Sequence, residues 1–166
     1  MGHRLFLVDQ RCSDQVLADQ ETTNAMRIVL ADDHINVREL VSTRLRREED
    51  IQIVAEAGTS AESVQVTLAE SPHVLLIDPM MHDEKGMEAV REIAYRRPET
   101  VIVVLTAFVD TAMQMTLHKL GITHILPKGI ESHRLVASLR EAVDAQPRSP
   151  SSPLHRVPFV PGSEMP

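Results

Sequence analysis

The sequence predicts an α/β fold in which five parallel strands form one sheet with helices on both faces. From Met26 onward, short apolar runs rich in β-branched residues alternate with longer segments of helical periodicity. This alternation occurs five times before about Ala145. Five successive βα units are typical of a doubly wound parallel sheet, because parallel strands need a crossover connection that is usually a helix.

The predicted strands and helices follow one another in strict alternation. Two of the strand segments, 74–77 and 101–105, are apolar without a polar alternate, which is typical of strands covered on both faces, so we expect them inside the sheet. Pro127 has no N–H to donate to a ladder, so the last strand is expected at an edge. Strands are expected at 27–31, 51–55, 74–77, 101–105 and 124–126, and helices at 36–47, 60–70, 86–96, 110–120 and 132–145.

A chain of 166 residues has room for one ordinary domain with its own core, and we assign that domain to residues 26–145. Residues 1–25 contain a single apolar patch, Leu5–Val8, and form an N-terminal extension whose structure the sequence does not specify. Residues 146–166 are rich in Pro and Ser and lack apolar periodicity. We expect them to be a disordered tail, since they carry too little apolar surface to build a core.

Composition excludes several classes of function. The net charge is −7 and the basic residues are scattered, which argues against direct contact with nucleic acid. No apolar run approaches the roughly 20 residues that span a bilayer, so we expect a cytoplasmic protein without membrane contact. The single Cys12 cannot form an internal disulfide, and the histidines show no zinc-ligand spacing. Protein partners are therefore expected.

Polar residues stand at the carboxyl ends of the predicted strands. Asp32 and Asp33 follow the first strand, Asp78 follows the third, Thr106 the fourth and Lys128 the fifth. Ligands of open α/β sheets bind outside these strand ends, so we expect the five side chains to converge on one site.

This combination of side chains predicts phosphoryl transfer to an aspartate. Three carboxylates close together repel one another, and a hard divalent cation with oxygen ligands, such as Mg²⁺, removes that repulsion. A carboxylate beside a metal ion, a lysine and a threonine can attack phosphorus, because the positive charges neutralise the transferring oxygens and the hydroxyl donates a hydrogen bond.

The segment from Arg27 to about Asp144 resembles the receiver domain of bacterial two-component response regulators, which has the flavodoxin-like (βα)5 fold. The opening VLADDH with VREL, and the segment IVAEAGTSAESV, are similar to the NarL/FixJ-type subfamily. In LLIDPMMHDEKGMEAV, Asp78, Met81 and Gly86 fall at the family's spacing, as does Lys128 in GITHILPK after VIVVLTA.

The resemblance implies a set of magnesium ligands. Asp33 would bind the ion directly, Asp32 would act largely through water, and Asp78 would be a ligand as well as the reacting group. The backbone carbonyl of Met80 would complete the protein ligands.

The resemblance also implies the reaction. Asp78 would be the phosphoacceptor, and Thr106 and Lys128 would bind the phosphoryl oxygens, with Lys128 paired to Asp78 before transfer. The donor would be a phosphohistidine on a sensor histidine kinase or a phosphotransfer protein. The protein would be no enzyme in the usual sense, since it would catalyse only its own phosphorylation and a slow dephosphorylation.

Three positions depart from the family pattern. His82 stands where the family usually has Pro, which predicts a freer loop after Asp78. Ile125 replaces an aromatic switch residue, and Gly129 replaces a proline that is often cis, which predicts a more mobile loop after Lys128. His34 and His82 themselves are interpreted as solvated loop residues.

The leading hypothesis is a single-domain response regulator that signals through contacts with an output protein or a homodimer, since a Pro/Ser-rich segment follows where relatives continue into a DNA-binding helix-turn-helix. The alternative is a pseudo-receiver that works as a phosphorylation-independent interaction or dimerisation module. A hydrolase of the aspartyl-phosphate kind would need an Asp two residues after the nucleophile, and that residue is Met80.

Overall fold

A computed structural model describes residues 25–146, so the predictions for residues 1–24 and 147–166 lie outside the described residues. The described chain forms one parallel sheet of five strands in the order β2-β1-β3-β4-β5, with helices on both faces. The elements are β1 Met26–Ala31, α1 Ile35–Leu45, β2 Ile51–Ala57, α2 Ser60–Glu70, β3 Val74–Ile77, α3 Gly86–Arg96, β4 Val101–Thr106, α4 Thr111–Lys119, β5 Ile125–Pro127 and α5 Ser132–Asp144.

This architecture confirms the predicted doubly wound (βα)5 fold. The strand β3 lies in the centre of the sheet and β4 lies beside it, as their wholly apolar sequences indicated. The strand β5 lies at the edge of the sheet. Pro127 has no backbone N–H, and at an edge this does not interrupt the hydrogen bonding between central strands.

The core consists of two apolar layers, one on each face of the sheet. Along β1, Ile28 and Leu30 contribute to one layer, whereas Val29 and Ala31 contribute to the other. Helices α1 and α5 cover the first layer, and α2, α3 and α4 cover the second. Both faces of the interior strands are thus buried, and the carboxyl edge of the sheet is left for polar residues.

Because of their register, strands β1 and β3 end side by side. Ala31, the last residue of β1, pairs with Ile77, the last residue of β3. The residue that follows each strand is an aspartate, so Asp32 and Asp78 occupy neighbouring positions. The backbone N–H of Asp78 donates to the Ala31 carbonyl at 2.9 Å.

Strands β4 and β5 position the remaining two site residues, Thr106 and Lys128. Thr106 ends β4 and pairs with Pro127 of β5. The following N–H, that of Lys128, donates to the Thr106 carbonyl at 3.0 Å, which continues the ladder by one residue and carries Lys128 to the same edge.

The start of α3 packs closely against the backbone of the loop that follows β3. A Cβ atom at Gly86 would lie 2.2 Å from the carbonyl oxygen of Pro79, the residue after Asp78. Only glycine fits this contact, so Gly86 lets the helix pack directly on the loop that carries Asp78.

None of the helices within residues 25–146 combines the length and the hydropathy that a membrane-spanning helix requires.

Candidate functional site

A cluster of carboxylates lies at the carboxyl edge of the sheet. Asp32 and Asp78 are 2% and 3% exposed, and Asp33 is partly buried beside them. One ligand atom from each of Asp32, Asp33, Asp78 and His34 lies within 4.8 Å of the others. The acidic part of the site that the strand ends predicted is therefore assembled in the structure.

Lys128 neutralises part of this charge. Its Nζ lies 2.7 Å from Asp32 Oδ2 and 2.6 Å from Asp78 Oδ2, so it bridges both buried carboxylates rather than pairing with Asp78 alone. Burial lowers the pKa of the Lys128 ammonium, but the hydrogen bonds to Asp32 and Asp78 outweigh it and raise that pKa above the usual 10.5. Counted without the histidines, three carboxylates and one ammonium leave two negative charges at the site.

Asp33 is held by two histidines. The His34 Nδ1 atom lies 2.7 Å from Asp33 Oδ1, and the His82 Nδ1 atom makes a close contact with Asp33 Oδ2. Burial raises the pKa of the Asp33 carboxyl, whereas the side-chain and backbone hydrogen bonds from His82 and the nearby imidazoles lower it to about 2. Asp33 is therefore ionised at neutral pH.

The interpretation of His34 and His82 as solvated loop residues was incomplete. Both side chains are exposed, as expected, but each contacts the carboxylate of Asp33. Two signals in the sequence pointed to this position: His34 directly follows Asp33, and His82 stands four residues after Asp78 where the family pattern has Pro.

The loop between β3 and α3 is tied to the rest of the domain. The backbone N–H of His82 donates to Asp33 Oδ2 at 2.7 Å. The carboxylate of Asp83 accepts from the backbone N–H and the hydroxyl of Ser60, at 2.8 and 2.7 Å. These contacts run against the expectation of a freer loop, because His82 replaces the rigidity of Pro with a hydrogen bond across the site.

The backbone of Met80 contacts Asp78, whereas the hydroxyl of Thr106 bonds to its own loop. The backbone N–H of Met80 donates to Asp78 Oδ1 at 2.9 Å, which places the Met80 backbone next to the carboxylate. The Thr106 side chain is buried, but its hydroxyl donates to the Phe108 carbonyl at 3.0 Å. In this conformation the hydroxyl of Thr106 is thus engaged within its own loop.

Sequence reasoning missed a few contacts that support the site. Arg38 donates from its guanidinium to the Asp32 carbonyl, and its Nε lies 3.5 Å from a Glu56 carboxylate oxygen. Arg38 belongs to the VREL segment, and its position one turn into α1 was the available signal. The pairing of Asp83 with Ser60 joins residues 23 apart and has no local signature.

The profile of the response regulator receiver domain family matches residues 28–140. The chain belongs to this family.

Curated relatives and solved structures agree with this assignment. The chain is 35% identical over 116 residues to the oxygen regulatory protein NreC of Staphylococcus epidermidis and 29% identical over 123 residues to the transcriptional regulatory protein LiaR of Bacillus subtilis. These matches cover 69% and 74% of this chain but only 53% and 58% of the relatives. The chain therefore corresponds to little more than half the length of those proteins.

Two solved receiver domains superpose on the described fold. The NarL receiver domain of Mycobacterium tuberculosis has a TM-score of 0.69 at 22% identity and covers 74% of this chain and 99% of its own. The isolated domain of RcsB from Salmonella enterica, solved with the phosphomimetic BeF3−, has a TM-score of 0.61 at 26% identity and covers 71% and 90%.

Proposed function

We propose that the chain is a phosphorylation-dependent signalling domain in which Asp78 accepts a phosphoryl group in the presence of Mg²⁺. The observation that carries this proposal is the assembly of Asp32, Asp33, Asp78 and Lys128 at one edge of the sheet. Membership of the receiver family is consistent with two-component signalling and supports the same function.

The residues present fit a magnesium ion. Their net charge of two negative units balances the two positive charges of the cation, and the donor atoms are hard carboxylate oxygens. Asp33 and Asp78 would be direct ligands, together with the backbone carbonyl of Met80, and Asp32 would act largely through water. When bound, the ion would supply positive charge to the phosphoryl oxygens.

Transfer would form one bond to phosphorus and break another. A carboxylate oxygen of Asp78 attacks the phosphorus of a phosphohistidine, and the N–P bond breaks as the imidazole leaves with its electron pair. Lys128, already within 2.6 Å of Asp78, stabilises the charge on the phosphoryl oxygens. The hydroxyl of Thr106 donates to the same oxygens after it releases the Phe108 carbonyl.

Hydrolysis of the aspartyl phosphate should be slow. Met80 and Phe108, two residues after Asp78 and Thr106, are 54% and 65% exposed and offer no polar side-chain group. A polar side chain at either position could hold a water in line with the acyl-phosphate bond, and its absence removes that assistance.

Incubation with acetyl phosphate and Mg²⁺ tests the proposal. We expect one phosphoryl group on the wild-type protein and none on Asp78→Asn, because Asp78 matches the family's phosphoacceptor position and its buried carboxylate lies 2.6 Å from Lys128. Intact-mass spectrometry measures the addition. Asp144→Asn, an exposed carboxylate at the end of α5, is the matched control and should label like wild type.

Equal labelling of Asp78→Asn and wild type would refute the assignment. The absence of labelling in both would favour the alternative, a pseudo-receiver that acts as a constitutive interaction or dimerisation module. The positions His82, Ile125 and Gly129 favour that alternative, whereas the intact carboxylate and lysine set favours the signalling domain.

The proposed partners follow from the proposed chemistry. A sensor histidine kinase or a phosphotransfer protein would donate the phosphoryl group, and an output protein or a second copy of the chain would recognise the phosphorylated form. A cytoplasmic location and a receiver unit of residues 26–145 belong to the same proposal.

A further inference from the structure

Two imidazoles flank Asp33 on opposite carboxylate oxygens. His34 approaches Oδ1, His82 approaches Oδ2, and the ring centroids lie 5.2 Å apart. The histidine side chains are 52% and 81% exposed, whereas that of Asp33 is 10% exposed. The three groups thus form a shallow site whose buried side is a carboxylate and whose open side is two aromatic nitrogens.

We propose that Asp33, His34 and His82 form a binding site for a divalent transition-metal ion such as Zn²⁺. Imidazole nitrogen suits zinc, cobalt, nickel and copper, whereas magnesium prefers oxygen ligands. Two imidazoles and one carboxylate are a ligand set that zinc accepts, with its fourth position left to water.

The donor atoms of the three residues lie close enough together for one metal ion to approach all of them. Ligand atoms about 2.0–2.1 Å from a tetrahedral ion lie roughly 3.3 Å from one another. The separation of His34 Nδ1 and Asp33 Oδ1 is 2.7 Å, and donor atoms of all three residues lie within 4.8 Å of one another. Small rotations of two exposed rings would therefore suffice to place an ion between them.

The fold holds both histidines near Asp33 before any ion arrives. The backbone N–H of His34 donates to Asp32 Oδ1 at 2.8 Å. His82 comes from a loop 49 residues further along the chain, and its backbone N–H donates to Asp33 while the neighbouring Asp83 binds Ser60. Because folding has already brought the ligands together, binding does not have to offset the entropy of closing that long loop.

The proposed ion would compete with magnesium, a consequence that rests on the proposed function. Asp33 is a ligand in both sites, so an ion held by the two histidines withdraws a carboxylate from the magnesium site. Affinities for nitrogen-containing sites rise along the first-row series toward copper and remain high for zinc. Zinc at low concentration would therefore inhibit phosphorylation of Asp78.

Isothermal titration calorimetry with Zn²⁺ alone tests the binding site. We expect one strong site in the full chain and a loss of about tenfold or more in affinity for His34→Ala and for His82→Ala, equivalent to about 1.4 kcal/mol each. Absorption of Co²⁺ in the visible range, which reports nitrogen ligands, should change in the same two variants.

His133→Ala is the matched control. Its side chain is 77% exposed and its Nε2 lies 3.6 Å from a Glu131 carboxylate oxygen, so it reproduces an exposed histidine beside an acid elsewhere on the surface. We expect its zinc affinity to equal that of wild type. Unchanged affinity in His82→Ala, or an equal loss in His133→Ala, would overturn the proposal.

A further variant separates this proposal from the proposed function. Asp78→Asn should bind zinc like wild type within about threefold, because Asp78 is not among the three ligands, although it should not be phosphorylated. Loss of zinc binding in Asp78→Asn would show that the ion occupies the carboxylate cluster instead. Failure of acetyl phosphate to label the wild type would refute the proposed function and leave the zinc titration to decide the metal site.

Discussion

Lys128 is the single positive charge that holds two buried carboxylates together in the described part of the site. Its Nζ lies within 2.7 Å of both Asp32 and Asp78, and its side chain is only 14% exposed. When one partner of a buried charge pair is removed, the remaining charge is left uncompensated, which costs more than the pair itself contributes.

We therefore expect Lys128→Met to lower the free energy of unfolding by about 2 kcal/mol or more when divalent cations are chelated. Added Mg²⁺ should stabilise this variant more than wild type, since the cation replaces the missing charge. Urea unfolding with EDTA and then with Mg²⁺ measures both effects. Lys119→Met, an exposed lysine at the end of α4, should behave like wild type in each condition. A Lys128→Met protein as stable as wild type in EDTA would contradict the role of Lys128.

At the scale of single residues, the sequence predicted which side chains meet but not how they pair. Asp32 and Asp33 follow β1, Asp78 follows β3 and Lys128 follows β5. Because parallel strands end at one edge of the sheet, the convergence of these residues follows from the βα pattern. The contact of Asp33 with His82 depends on the path of a loop 49 residues away, which no local pattern encodes.

Gly86 allows helix α3 to pack against the loop that carries Asp78. A side chain there would enter the space of the Pro79 backbone, with the nearest atom at 2.2 Å, and a backbone carbonyl cannot rotate away as a flexible side chain can. The start of α3 and the loop that carries Asp78 would have to separate.

We expect Gly86→Ala to lower the free energy of unfolding by about 1–3 kcal/mol, the usual cost of overpacking, and to slow labelling of Asp78. Chemical denaturation and the rate of labelling by acetyl phosphate would show this. Gly129→Ala is the control, because a Cβ there has no atom within 4 Å. Equal stability of the two variants would mean that α3 can move without cost.

Helix α5 is joined to the turn before β2 by one arginine. Arg140 donates to Asp50 at 2.7 and 3.0 Å and to Glu48 at 3.0 Å. The hydrogen bond from Arg140 lowers the pKa of the Asp50 carboxyl below its usual 3.8. A carboxyl whose pKa is lowered by folding adds stability above its unfolded pKa and loses that contribution as the pH falls through its folded pKa.

Arg140→Gln should therefore be less stable than wild type near neutral pH, and the difference should shrink as the pH falls below 3.8. Urea midpoints measured across the acidic range give the trend. Arg134→Gln, on the same helix and without an ion pair among the residues described, should show no such pH-dependent difference. A constant difference for Arg140→Gln at every pH would exclude the ion pair as its cause.

The bounds of the elements were predicted within two residues throughout the described chain. The segments of α2, β3 and α3 were predicted without error, because the apolar pattern that predicts them is local in the sequence. The largest differences fall at the end of α1, two residues shorter than expected at Leu45, and at the end of β2, two residues longer at Ala57. At the end of β2, the pairing of Leu30 and Ala31 with Glu56 and Ala57 extends the strand beyond its local preference.

Both apolar layers of the core are formed by residues within 25–146. Each face of the sheet is covered by helices of the same segment, so that segment contains what a domain needs to fold alone. We expect a protein of residues 25–146 to unfold in one transition within a few degrees of the full chain. Calorimetry of both proteins checks this, and a much lower midpoint for the shorter one would show that the remaining residues contribute to the core.

The central strand has a further property that follows from its burial on both faces. All four residues of β3 are apolar, so sliding it by one position along β1 would exchange one set of hydrophobic side chains for another at little cost in buried area. Such a slip would point Asp78 away from Lys128. Polar residues bracket the strand, with His73 bonded to Arg27 at its start and Asp78 bonded to Lys128 at its end. We infer that these polar ends help to set the register of β3, so that replacing Asp78 would remove one of the two polar contacts that hold the strand in position along β1.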